Sequence, residues 1–227
     1  MARSHRRAKT AKELRRRPAT RTVPDRVLIV TEGSKTEPSY FQMLIAELGL
    51  TTAKVTIVGE GGSAPISVAD EAESRLKRDD DFEQVYCLFD RDRHETYDQA
   101  LEKVRGIAGR KEFRGKVIAA IPSIPCFEVW YLLHVSDSRK PYESAGSPGD
   151  ALIADLMQID PFKAYTKSEC RAFFDQISAR RSTASKRAIR FLEEAQNEGA
   201  DEFHENPSTR VHLVVKALGD VARRDKE

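Results

Sequence analysis

The chain has 227 residues, enough for one α/β domain and a smaller appendage. Its 40% hydrophobic and 33% charged content is that of a globular protein in water, and no apolar run approaches the roughly 20 residues a membrane helix needs. The three cysteines, Cys87, Cys126 and Cys170, lie far apart with no Cys-x-x-Cys pair, which argues against a thiolate zinc site and a disulfide framework. No signal-peptide core is present at the N-terminus, so a reducing cytoplasm is expected.

The net charge of +2 hides an asymmetry. Residues 1–24 carry nine Lys/Arg against one acid, Glu13, so the body that follows is net acidic. A basic arm of this kind is either a solvated, disordered tail or a contact for a phosphate backbone.

From residue 25 onward strand and helix signals alternate. A strand is expected at Val27 to Thr31, then a helix from Thr36, as N-cap, to Leu48, stopped by Gly49. A second strand at Lys54 to Val58 leads to a helix over 64–78. A third strand at Gln84 to Phe89 leads to a helix over 97–108, and a fourth strand spans 116–121. The strands are apolar nearly throughout, as in a parallel sheet covered on both faces. Beyond Pro122 the pattern is helical: 127–134, 150–158, 167–180, 183–197 and 208–223, with an exposed loop at 136–150. The expected architecture is a four-stranded parallel sheet (core 25–135) with a helical extension (136–227) packed on it.

Two of the strands stop abruptly at acids: Val27-Leu28-Ile29-Val30-Thr31-Glu32-Gly33 and Val85-Tyr86-Cys87-Leu88-Phe89-Asp90-Arg91-Asp92. Ligands of open parallel sheets bind at the carboxyl ends of the strands. Carboxylates gathered there repel one another unless a cation joins them, and oxygen ligands favour Mg²⁺ or Mn²⁺. At a strand end Asp90 and Asp92, two apart, share a face. Gly33 permits a tight turn. Glu37 and Glu128 each fall in a first helical turn, where the helix dipole favours an acid whatever its function. His94 is a ligand, a proton donor or a helix-start residue. Lys35, Arg91, Arg93 and Lys54 are candidates to offset the negative charge or meet phosphate. Thr166 and Ser208 read either as helix N-caps or as parts of phosphate-binding helix starts, with Lys167 a candidate phosphate contact. His134 faces either core or solvent.

The order of these motifs resembles the Toprim fold of topoisomerases, bacterial primases and overcoming-lysogenization-defect nucleases. More narrowly, Glu32-Gly33-x-x-Thr36-Glu37-x-x-Tyr40-Phe41, Phe89-Asp90-x-Asp92-x-His94 and Pro125-Cys126-Phe127-Glu128-Val129-Trp130 resemble the RloB family. The likeness extends to Tyr165-x-Lys167 and Asn206-Pro207-Ser208-Thr209. It implies that Glu32 is a metal ligand or general acid/base, and that Asp90 and Asp92 hold Mg²⁺ or Mn²⁺. Glu37 and Glu128 are the candidates for a second ion. It also implies a nuclease acting on nucleic acid beside restriction and abortive-infection genes, with an ATPase of the ABC/SMC type. The absence of a Walker A motif in this sequence agrees with a separate ATPase chain.

Three rival readings remain at this point. A haloacid-dehalogenase-type phosphohydrolase also has Asp-x-Asp after a strand, but on its first strand, where this chain has Glu-Gly. A topoisomerase needs further domains. A binding module would hold metal and nucleic acid without cleaving.

Overall fold

The structure, a computed structural model, describes residues 26–52, 54–59, 64–143, 146–167 and 170–225. The basic segment 1–24 lies outside the described residues. Five strands form one sheet: β1 (Arg26–Thr31), β2 (Val55–Val58), β3 (Phe82–Asp90), β4 (Val117–Ile124) and β5 (Ser208–Thr209). Their order is β2-β1-β3-β4-β5. The first four are parallel, and β5 runs antiparallel to the end of β4. This is the expected α/β class, consistent with a Toprim-like sheet, with one short strand added.

The apolar strands serve two cores. Side chains alternate across a strand, so Val27 and Ile29 face one core while Leu28 and Val30 face the other; all four are fully buried. On the Leu28 face pack α2 (Pro65–Arg78) and α3 (Tyr97–Ala108). On the Val27 face pack α1 (Thr36–Leu48), α4 (Glu128–Val135), α5 (Pro148–Leu156), α6 (Arg171–Ser178), α7 (Arg181–Asn197) and α8 (Val211–Arg224). The helices after β4 therefore share a continuous core with the sheet. Among the described residues no helix is long and apolar enough to cross a membrane.

Several local expectations need correction. Thr36 is the first helical residue of α1, and its N-cap is Lys35. Ser208 caps no helix: it belongs to β5, whose partners are Ser123 and Ile124. Thr166 precedes no helix directly, because α6 starts at Arg171. The segment after α4 is anchored: Tyr142 is buried, and its backbone N–H and carbonyl are both held by the Asn206 side chain, at 3.3 and 3.0 Å. Lys54 lies at the amino end of β2, away from the acids, and pairs with Asp225.

The topology positions the site. The chain leaves β1 outward to β2, then returns to β3 on the other side of β1. The carboxyl ends of β1 and β3 thus flank a point where the winding reverses, the usual ligand position in open α/β sheets. Thr31 pairs with Leu88 and Asp90 pairs with Ser123, so the ends of β1, β3 and β4 are neighbours.

Candidate functional site

A cleft of about 320 Å³ opens at these three strand ends. Glu32, Glu37, Asp90, Asp92 and Glu128 line it, with Lys35, His94 and Lys167. The first two motifs meet directly: the Asp90 N–H donates to Glu32 Oε2 at 3.3 Å, and His94 Nε2 stands 3.0 Å from Glu32 Oε1. Glu37 and Glu128, from the first turns of α1 and α4, are buried. Gly33 makes room for the first: a Cβ there would stand 3.0 Å from Glu37 Oε2.

Asp92 reaches the cleft by a turn and not by strand alternation. The strand ends at Asp90, and Asp92 adopts a φ of 24°, a region that Asp tolerates better than most residues. The backbone there is tied to the end of β4: Arg91 N–H donates to the Ser123 carbonyl at 3.0 Å and Asp92 N–H to the Pro125 carbonyl at 2.9 Å. Arg91 and Arg93 do not line the cleft. The Arg91 guanidinium lies over the Tyr97 ring, 5.9 Å from its centroid.

The carboxylates disturb one another. Burial, reinforced by Glu37, Glu128 and Glu32, holds the Asp90 carboxyl well above its ordinary pKa. Burial, with Glu128 and Glu32, pushes Glu37 up to about 7, against the backbone N–H groups of Glu37 and Gly33. Glu32 is raised by burial and by Asp92, while His94 and Lys167 work the other way. Burial opposes the charge on Lys167, yet Glu128, Asp90 and Glu37 outweigh it and raise its pKa.

A scan against family models matches the RloB-like protein family over residues 27–218. The chain belongs to the RloB-like family. A search of curated proteins and a search of solved structures gave no match. The RloB-like match spans the strand-end acids, the Glu128 helix and the segment that carries Lys167.

Some residues of this RloB-like cleft were not legible as site residues. The Tyr165 hydroxyl donates to Glu128 Oε1 at 2.6 Å, and the Thr36 hydroxyl donates to the Lys167 carbonyl at 3.4 Å. Phe127 and Thr36 also form its walls. For Tyr165 the one available signal was its place in the family motif. His134 belongs to the core: its Nδ1 donates to the Trp130 carbonyl at 2.7 Å, and burial pushes its pKa down to about 4.

Proposed function

We propose that this chain is a divalent-metal-dependent nuclease that hydrolyses phosphodiester bonds of DNA or RNA. The observation that carries the reading is the convergence of five carboxylates, from the ends of β1 and β3 and the first turns of α1 and α4, in one cleft with Lys167. The donor set suits a hard ion such as Mg²⁺ or Mn²⁺. Burial first, and the neighbouring carboxylates after it, raise the pKa values of Glu32, Glu37 and Asp90, and a bound dication would favour their ionised forms. Glu32, Asp90 and Asp92 would hold it, with Glu37 and Glu128 available to a second. Such an ion, when bound, polarises a phosphoryl oxygen and stabilises charge developing in the displacement.

The chain's own residues do the rest. Lys167 and Lys35 bind backbone phosphate at the cleft. Glu32 orients His94, and His94 gives a proton to the departing oxygen. Family likeness supports the wider setting, an anti-phage effector that works with an ABC/SMC-type ATPase encoded nearby.

The test is calorimetric titration of Mn²⁺ into wild type and Asp90→Asn, followed by cleavage of plasmid DNA and transfer RNA, with and without the neighbouring ATPase. Binding and cleavage in the wild type, both lost in a folded Asp90→Asn, are expected. A folded variant that still cuts sinks the mechanism.

A second reading is a module that binds metal and nucleic acid without cutting. Among the described residues no three His, Cys, Asp or Glu side chains stand close enough to form a ready-made metal cage. Mn²⁺ binding without cleavage, even with the ATPase present, would select that reading.

A further inference from the structure

We propose that the free edge of β4 is a homodimer interface, in which two copies pair β4 antiparallel about a two-fold axis at Ala119. β5 covers only Ser123 and Ile124, and the Arg210 N–H reaches Pro122. Among the described residues, Val117 to Ile121 has no strand on that side. Natural proteins blunt such edges with Lys, Pro, bulges or a covering element. Val117-Ile118-Ala119-Ala120-Ile121 has none of these residues, although Lys116 precedes it and Pro122 follows it, and its pairing with β3 is regular.

Apolar surface gathers at this edge. Among the described residues three large apolar side chains are exposed, and two of them, Val117 (49%) and Leu213 (42%), lie here. A groove of about 490 Å³ runs between β4 and α8 on one face. Another of about 360 Å³ lies between β4 and α3 on the other. Strand side chains alternate between the faces, so an added strand would send side chains into both grooves.

A second copy is the occupant that the chemistry fits. An isologous interface must be complementary to itself. Antiparallel pairing about Ala119 sets Val117 opposite Ile121 of the second copy and Ile118 opposite Ala120; the strand seam is apolar, with Val117 as its exposed side chain and Ile121 already buried in its own copy. On α8, Leu213, Lys216 and Asp220 form one stripe beside the same edge. The two-fold brings Lys216 of each copy toward Asp220 of the other, although Asp220 also meets Arg223 on its own helix. The acidic clefts, at the carboxyl end of β4, would then lie at opposite ends of a joined sheet.

The experiment is light scattering and sedimentation of the full chain. Wild type should sediment at twice the 25.6 kDa chain mass. Val117→Lys should be monomeric with an unchanged melting temperature, because the Val117 side chain is half exposed. Lys216→Asp and Asp220→Lys should each raise the dimer dissociation constant by about tenfold or more, and the double variant should restore it. A monomeric wild type, or a dimer indifferent to Val117→Lys, overturns the proposal. If Val117→Lys fails to fold, the charge-swap series decides, and failure of the double variant to recover overturns it.

Discussion

Glu32 serves His94 and Asp90 with its two oxygens: Oε1 faces His94 Nε2 at 3.0 Å, and Oε2 accepts the Asp90 N–H at 3.3 Å. The carboxylate thus ties the end of β1 to the end of β3 and fixes the imidazole at the mouth of the cleft. If His94 is the proton donor, His94→Asn should leave Mn²⁺ binding within a fewfold of wild type. It should slow cleavage by about 10²–10⁴-fold, the usual contribution of a positioned acid. Loss of Mn²⁺ binding in that variant would make His94 a ligand instead.

The acids carry a pH signature. A carboxyl raised in the folded state binds more protons folded than unfolded between the two pKa values, so stability falls as pH rises through that window. For Glu37 the window runs from the ordinary value near 4.5 to about 7. Glu37→Gln should therefore gain in melting temperature relative to wild type between pH 5 and pH 8, in metal-free buffer. Mn²⁺ at a hundredfold excess over its Kd should stabilise wild type by about 2.7 kcal/mol, roughly 5–10 °C for a chain of this size. With the Mn²⁺ concentration fixed at a hundredfold excess over the pH 8 Kd, the gain should be smaller at pH 5, where protonation of the acids raises the Kd. A variant curve parallel to wild type across this range would contradict the assignment.

The sheet was legible where local chemistry decides it. Buried parallel strands are uninterrupted apolar runs, so β1 and β3 announce themselves, and an acid where such a run stops marks a strand end. Two-residue β5 gives no periodic signal: it exists because Ser208 and Thr209 meet Ser123 and Ile124 across the fold. Thr166 and Ser208 misled for a related reason, since the hydroxyls that cap helices also serve loops. The cleft's acids were readable from their positions. Tyr165 was not, because its hydrogen bond to Glu128 joins positions 37 residues apart.

That hydrogen bond is the next test. Tyr165 is buried and its hydroxyl meets one oxygen of a buried carboxylate at 2.6 Å. Tyr165→Phe removes that hydrogen bond and leaves a buried Glu128 oxygen without its partner, which costs about 1–3 kcal/mol. The Glu128 oxygen it frees is then available to an ion. The variant should melt lower without metal and recover part of the loss in Mn²⁺. An equal loss with and without Mn²⁺ would remove Glu128 from the set of ligands.

Lys167 separates substrate contact from charge offset. Removing one phosphate contact lowers the slope of log affinity against log salt by about 1, without changing sequence preference. Lys167→Ala, measured with Asp90→Asn as a non-cutting background, should show that change for nucleic acid. An unchanged slope would leave Lys167 as a partner of Glu128, Asp90 and Glu37 alone.

The end of β4 is held by a buried ion pair. Glu205 is fully buried and meets Arg210 through both oxygens, at 2.9 and 3.2 Å. Arg210 lies over the Phe203 ring at 4.1 Å, and its N–H donates to the Pro122 carbonyl at 3.2 Å. The pair therefore presses β5 against the strand whose Ser123 stands beside Asp90. Breaking one side leaves a buried charge unmatched, at a cost of about 3–5 kcal/mol. Glu205→Ala should lower the melting temperature by roughly 6–20 °C for a chain of this size. Replacing both residues by methionine should recover much of that loss, because the desolvated charges vanish together. Calorimetric melting of the single and double variants checks both steps. A single-variant loss below about 1 kcal/mol would place the pair in contact with water and unfit to position β4.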